Sequence, residues 1–183
     1  MGILLAFTPF IAFAVVDRLS GPTEGLVAGA VVSAALLLRD LLQGRTAKVL
    51  EVGTAVLFGG LALYALLGRP SWSVIGVRLV VDTGLLLIVL ASLAMRRPFT
   101  LQYAREQVAP ELWNAPEFVR TNYVITAVWA LAFAVMVVAE LVLLYVPDIP
   151  PRAGIFAIIL ALVGAVKFTG WYPERQRSGR PTA

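Results

Sequence analysis

The stretch from Ser71 to Met95 constrains the fold more than any other part of the chain. It carries no charged residue except Arg78 and Asp82, and it is long enough to cross a lipid bilayer as one α-helix. The two charges stand four residues apart, which puts them on the same face of that helix. Each would cost about 2.5–3.5 kcal/mol at the centre of a lipid-facing helix. We therefore expect this face to turn toward other helices or toward water that they enclose.

The composition of the whole chain is that of a membrane protein. Of its 183 residues, 60% are hydrophobic and 14% are charged, whereas soluble domains carry about 25% charged residues. The net charge of +4 and the isoelectric point near 9.9 reflect basic cytoplasmic loops rather than nucleic-acid binding. The chain has no Cys and no His, which excludes disulfides and the commonest metal ligand. We expect no metal site and no cofactor.

Hydropathy predicts an all-α polytopic membrane protein with one domain over residues 1–172 and six transmembrane helices. The connection over 96–121 is too polar to span, and we expect a short interfacial helix near 99–108. Pro9 falls in the middle of the first span and predicts a kink there. A polar C-terminal tail covers 173–183. The six predicted spans are residues 3–17, 22–38, 49–67, 71–95, 122–145 and 153–172.

Basic residues predict the orientation of these spans. Of the 15 Lys and Arg residues, ten fall in the loops after the second and fourth spans or in the tail. The loops on the opposite side hold three. Because cytoplasmic loops collect Lys and Arg, we expect both termini and the 96–121 loop in the cytoplasm, and we expect the protein in a bacterial-type inner membrane.

The topology brings further charges to similar depths. At a rise of about 1.5 Å per residue, Glu140 of the fifth span is predicted at the depth of Arg78, and Asp82 lies nearer the midplane. Asp17 ends the first span at the same side, where it either joins this group or is simply solvated beside Arg18. A second pair is predicted near the inner boundary, and its members are Glu51 of the third span and Lys167 of the sixth.

Two interpretations of the Arg78, Asp82 and Glu140 group remain open. They form either a dry network that sets helix register or the lining of a path for an ion or solute, and we favour the path. One Arg against two acids leaves a surplus carboxylate, which should carry a proton or bind a cation. For Lys167 we favour a structural role, because a long side chain near a helix end can reach the interface.

Other residue patterns point to packing rather than chemistry. Gly25, Gly29 and Ser33 recur every four residues, which favours close contact between helices. Without His or Cys, and without a nucleophile beside a base, the chain has no candidate catalytic residue. We therefore expect a protein that is not an enzyme. A lipid-modifying activity would need a head-group site that the sequence does not contain.

Several short motifs resemble the intracellular septation protein A family of small polytopic bacterial inner-membrane proteins. They are Phe7-x-Pro9 with Phe13, the Arg97-Pro98 step, and Asn122 ahead of Trp129-Ala130 and Phe133. The resemblance covers the general layout over most of the chain. It implies a role in the cell envelope, near division or wall-synthesis proteins, and it supplies no catalytic residues.

Two functions follow as expectations. The first is movement of a small solute, ion or proton through a polar bundle interior, on a path lined by Arg78, Asp82, Glu140 and Asp17. The second is a non-catalytic envelope scaffold that binds other membrane proteins or a second copy of itself. Its candidate surfaces are the Gly25/Gly29/Ser33 face and the 96–121 loop. Beyond these, the lipid bilayer is the expected partner.

Overall fold

The computed structural model describes residues 3–68, 70–146 and 148–178, and within these ranges the chain forms helices and no strand. Short 3-10 helices cover Ile3–Phe7 and Pro110–Leu112. The α-helices are α1 (Thr8–Ser20), α2 (Pro22–Leu42), α3 (Val49–Gly68), α4 (Val74–Ala94), α5 (Phe99–Arg105), α6 (Pro116–Tyr145) and α7 (Pro151–Ser178).

Five of these helices, α2, α3, α4, α6 and α7, are long and apolar enough to cross a membrane. The chain is thus a helical membrane protein, as its hydropathy predicts. The remaining predicted span, residues 3–17, is a 3-10 turn followed by the 13 residues of α1. At about 1.5 Å per residue α1 is roughly 20 Å long, less than the hydrocarbon core. The number six and the cytoplasmic termini stay predictions.

The boundaries differ from the predicted ones where proline and polar residues begin a helix. Pro9 lies in the first turn of α1 instead of producing a kink, because the N–H that proline lacks has no partner there in any case. Within the predicted 96–121 loop, α5 supplies the expected short helix, and α6 begins at Pro116 rather than at Asn122. The last helix continues to Ser178, while residues 179–183 of the predicted tail lie outside the described residues.

The chain divides into two compact units, Met1–Ile88 and Val89–Ala183, with the boundary inside α4. We call them the N-terminal unit and the C-terminal unit. The single domain that we expected over residues 1–172 stays a prediction. In the N-terminal unit, α2 packs against both α1 and α3. In the C-terminal unit, α6 packs against both α5 and α7.

A one-residue turn at Gly21 sets the packing of α1 against α2. Gly21 has φ of 121°, a backbone conformation that residues with a Cβ rarely adopt. Pro22 then begins α2 with its φ already helical. Because the connection is so short, α1 and α2 run antiparallel and in direct contact along their length.

Small residues on α2 allow that contact. A Cβ on Gly25 would lie 2.8 Å from the Cβ of Asp17, and one on Gly29 would lie 2.5 Å from the ring of Phe58. Ser33 continues the same buried face and donates to the carbonyl of Ala30. The four-residue spacing thus marks the side of α2 that α1 and α3 cover. This face is not available to another protein.

In the C-terminal unit, α4 ends at a left-handed residue. Arg96 has φ of 57°, its N–H donates to the carbonyl of Leu93, and the N–H of Arg97 donates to that of Ser92. This pair of bonds satisfies the last carbonyls of α4. The Ser92 hydroxyl in turn accepts the N–H of Phe99, so the end of α4 holds the start of α5.

Replacing Gly25 with Ala tests the α1–α2 contact. We expect a loss of about 1–3 kcal/mol in the free energy of unfolding, since the new methyl group would press on the backbone of α1. Gly59→Ala is the matched control, because no atom lies within 4 Å of its Cβ position, and it should be neutral or stabilising. Denaturation of both variants in detergent measures the difference, and equal stability would contradict the packing described.

Candidate functional site

Asp17, near the end of α1, is the most deeply buried acidic side chain of the N-terminal unit. Its side chain has 0% exposure, although it is adjacent to the exposed Arg18. The expectation that Asp17 is simply solvated is therefore wrong. The reason is the tight turn at Gly21, which lays Gly25 of α2 directly over the backbone and Cβ of Asp17.

Arg78 of α4 binds Asp17 across 61 residues of sequence. Its Nε and Nη2 both donate to Oδ2 of Asp17, at 3.0 and 2.7 Å. Charge-assisted bonds of this length are among the stronger hydrogen bonds in proteins. The sequence predicted that Arg78 shares a face with Asp82, one helical turn further along α4. The fold shows that Asp17, which the sequence placed at the same side, is the residue that Arg78 binds, and we call the three the Asp17–Arg78–Asp82 group.

Apolar side chains flank this group. Phe13 lies one turn before Asp17, Leu26 follows Gly25, and Val77 precedes Arg78, and all three belong to one buried cluster. The second carboxylate oxygen, Oδ1 of Asp17, is buried and has no hydrogen-bond partner among the residues that the structure describes. A buried polar oxygen without a partner is costly, so this atom marks a candidate site for a proton or another small species.

The remaining predicted path residue, Glu140, lies on α6 of the C-terminal unit, where it is 4% exposed. Its convergence with Arg78 and Asp82 stays a prediction, because these residues belong to different units. The surplus carboxylate expected from the sequence counted Asp82 and Glu140 against Arg78, and within the N-terminal unit Asp17 takes the place of Glu140 in that count. Asp17 and Asp82 together already outnumber Arg78.

The predicted inner pair also divides between the units. Glu51, at the start of α3, is paired with Lys48, whose Nζ lies 3.1 Å from Oε1 of Glu51. Lys167 is exposed on α7 of the C-terminal unit. The pairing of Glu51 with Lys167 stays a prediction.

A second group of charges lies between α2 and α3, and sequence reasoning had assigned most of it to a loop. Lys48 Nζ is 3.2 Å from Oδ2 of Asp40, and Arg39 Nη2 is 2.7 Å from Oδ1 of the same residue. With Glu51 these residues form a series of alternating sign, which we call the Arg39–Glu51 cluster. The three-residue spacing of Lys48 and Glu51 is visible in the sequence and is typical of an ion pair on one helix face. The burial of Asp40 is not visible there.

The C-terminal unit uses uncharged hydrogen bonds at its buried polar positions. The Thr100 hydroxyl of α5 donates to the carbonyl of Asn122 and lies 2.7 Å from the hydroxyl of Thr126, both on α6. The indole of Trp129 donates to the hydroxyl of Thr169 on α7 at 2.9 Å. These bonds connect α6 to both of its neighbours, and they include Asn122 and Trp129 from the septation-like motifs.

Neither a metal site nor a known relative gives further information about the function of these groups. Within residues 3–68, 70–146 and 148–178, no three acidic side chains come together as a metal site would require. No family model, no curated protein and no solved structure matches this chain. The candidate site is therefore defined by its own geometry: a buried carboxylate, an arginine that uses one of its oxygens, and a second acid one helical turn away.

Removing either partner of the Asp17–Arg78 pair should have unequal effects. Arg78→Gln leaves a carboxylate of 0% exposure without its cation, whereas Asp17→Asn leaves an arginine whose side chain is 33% exposed. We expect losses of about 3–5 kcal/mol for Arg78→Gln and about 1–3 kcal/mol for Asp17→Asn. Urea or thermal unfolding in detergent gives both values, with Arg18→Gln as the exposed control. The reverse order would contradict the burial described.

The Arg39–Glu51 cluster yields a parallel test at Lys48. Lys48→Met keeps the length of the side chain but removes the cation that joins Asp40 to Glu51, and should cost about 3–5 kcal/mol. Arg45→Gln, in the same connection but exposed, should change stability by less than about 0.5 kcal/mol. If the two variants unfold alike, the cluster does not hold α2 to α3.

Proposed function

We propose that this chain is a polytopic inner-membrane protein, with both termini in the cytoplasm, that moves a small solute, ion or proton through a polar interior. The Asp17–Arg78–Asp82 group is the central part of that path. Ionisable residues inside membrane proteins are rare, and they mark substrate, ion and proton pathways. The predicted excess of basic residues in alternate loops supports the orientation.

One observation carries the proposal: Oδ1 of Asp17 is buried without a hydrogen-bond partner in the described residues, beside an arginine that bonds only the other oxygen. A pair that served stability alone would satisfy both carboxylate oxygens, because each buried unsatisfied oxygen is costly. The arrangement retains capacity to accept a proton or a polar ligand. Its three residues also carry one positive and two negative charges, which favours a positively charged species.

Flux measurements on the reconstituted protein test this function. In liposomes with a pH-sensitive dye or an ion indicator inside, wild-type protein should dissipate an imposed gradient. Asp17→Asn and Asp82→Asn should reduce the rate at least tenfold while the helical circular dichroism signal remains. Glu24→Gln, an exposed acid on α2, is the matched control. Glu140→Gln asks whether the C-terminal unit contributes.

Two results would contradict the proposed transport function. If wild-type protein moves no ion and no small solute in these vesicles, the transport function is wrong. A rate that is the same for wild type, Asp17→Asn and Asp82→Asn would remove the Asp17–Arg78–Asp82 group from the path.

A scaffold function in the cell envelope is the second candidate, and one of its two surfaces retains support. The connection between α5 and α6 is folded, since the indole of Trp113 donates to the carbonyls of Arg105 and Val108. Leu112 remains exposed beside it. An ordered surface with an exposed apolar side chain suits a protein partner, and this surface would be the one to study if no flux occurs.

A further inference from the structure

We propose that the species carried by the N-terminal unit is a proton, that Asp17 binds it at Oδ1, and that Asp82 then serves as the counter-charge of Arg78. This inference rests on the proposed function and specifies its substrate. It is carried by the juxtaposition of one orphaned carboxylate oxygen, one shared arginine and one further acid.

The number of available ligand atoms decides between a proton and a metal cation. Ca²⁺ takes about 6–8 oxygen ligands, and Mg²⁺ about 6. Beyond the one oxygen that Arg78 engages, Asp17 offers a single oxygen and the carboxylate of Asp82 at most two, which is fewer than either metal ion takes. A proton needs only one oxygen and forms a covalent O–H bond there. The site therefore suits a proton and does not suit a desolvated metal cation.

The charge of the group favours the same species. With both acids ionised, Asp17, Arg78 and Asp82 carry a net charge of one negative unit, which disfavours an anion. A proton on Asp17 makes the group neutral, and a neutral group is cheaper to hold in low-dielectric surroundings. The guanidinium keeps its charge throughout. After protonation, its carboxylate partner within the group is Asp82, one helical turn further along the same face of α4.

Other titratable groups near Asp17 are exposed. They are Arg18, the next residue on α1, and Glu24, which precedes Gly25 at the start of α2. Water screens exposed charges strongly. Arg78 is the charged group whose hydrogen bonds to Asp17 the structure describes, and Asp82 stands one helical turn from Arg78 on α4.

Infrared difference spectroscopy between high and low pH measures the proton directly, at equilibrium and without a gradient. Wild-type protein in lipid nanodiscs should gain the C=O stretching band of a protonated carboxylic acid as the pH falls. Labelling the aspartate carboxyl groups with ¹³C should move the band to lower frequency. Asp17→Asn should remove it, and Glu24→Gln should keep it.

A second pair of variants covers the case in which Asp17→Asn fails to fold and tests the part played by Asp82. Asp17→Glu keeps the carboxyl group, so the band should persist and lose its response to the aspartate label. Asp82→Asn removes the counter-charge that Arg78 needs once Asp17 is neutral. The band should then be weaker than in wild type, because Arg78 keeps ionised Asp17 as its carboxylate partner.

The outcomes separate this inference from the proposed function. Three results would overturn the proton site even if the liposomes show flux. The band could be absent between about pH 4 and pH 9, it could be unaffected by the aspartate label, or it could persist in Asp17→Asn. Absence of flux from a protein that shows the band would overturn carriage of the proton and leave only its binding. A band of unchanged strength in Asp82→Asn would overturn the role given to Asp82.

Discussion

A charge taken out of water needs an opposite charge beside it, and the N-terminal unit is arranged around one such requirement. The carboxylate of Asp17 is buried where Gly25 allows α2 to lie against α1, and Arg78 of α4 donates two hydrogen bonds to it. The pair therefore connects the beginning of the unit to its last helix. Neither helix could shift alone without leaving a buried charge unpartnered, which costs several kcal/mol.

Buried charges are also paired with opposite charges between α2 and α3, but there the charges balance. In the Arg39–Glu51 cluster, Lys48 lies between two acids and Arg39 completes the balance, so positive and negative charges are equal in number. A balanced cluster of this kind holds a connection in place. The Asp17–Arg78–Asp82 group has one acid in excess and one carboxylate oxygen without a hydrogen-bond partner in the described residues. That difference is the physical reason for proposing transport at one group and a structural role at the other.

Most of the buried polar side chains described in the C-terminal unit are uncharged. Hydroxyl, amide and indole groups of Thr100, Asn122, Thr126, Trp129 and Thr169 exchange hydrogen bonds at 2.7–2.9 Å around α6. Neutral hydrogen bonds of this kind connect membrane helices at modest energy. Glu140, on the same helix, is a buried acid of this unit.

The sequence by itself determined the helical membrane class and the approximate positions of five long helices, because hydropathy over about 20 residues is a local property. It also marked the Gly25/Gly29/Ser33 face as a packing surface, since that follows from residue type and spacing. The partner of Arg78 was not local. Helical periodicity pointed to Asp82, four residues away, whereas the hydrogen bonds go to Asp17, 61 residues away. Only the tertiary structure could decide this, because the burial of Asp17 depends on how closely α2 approaches α1, and that distance follows from packing in three dimensions.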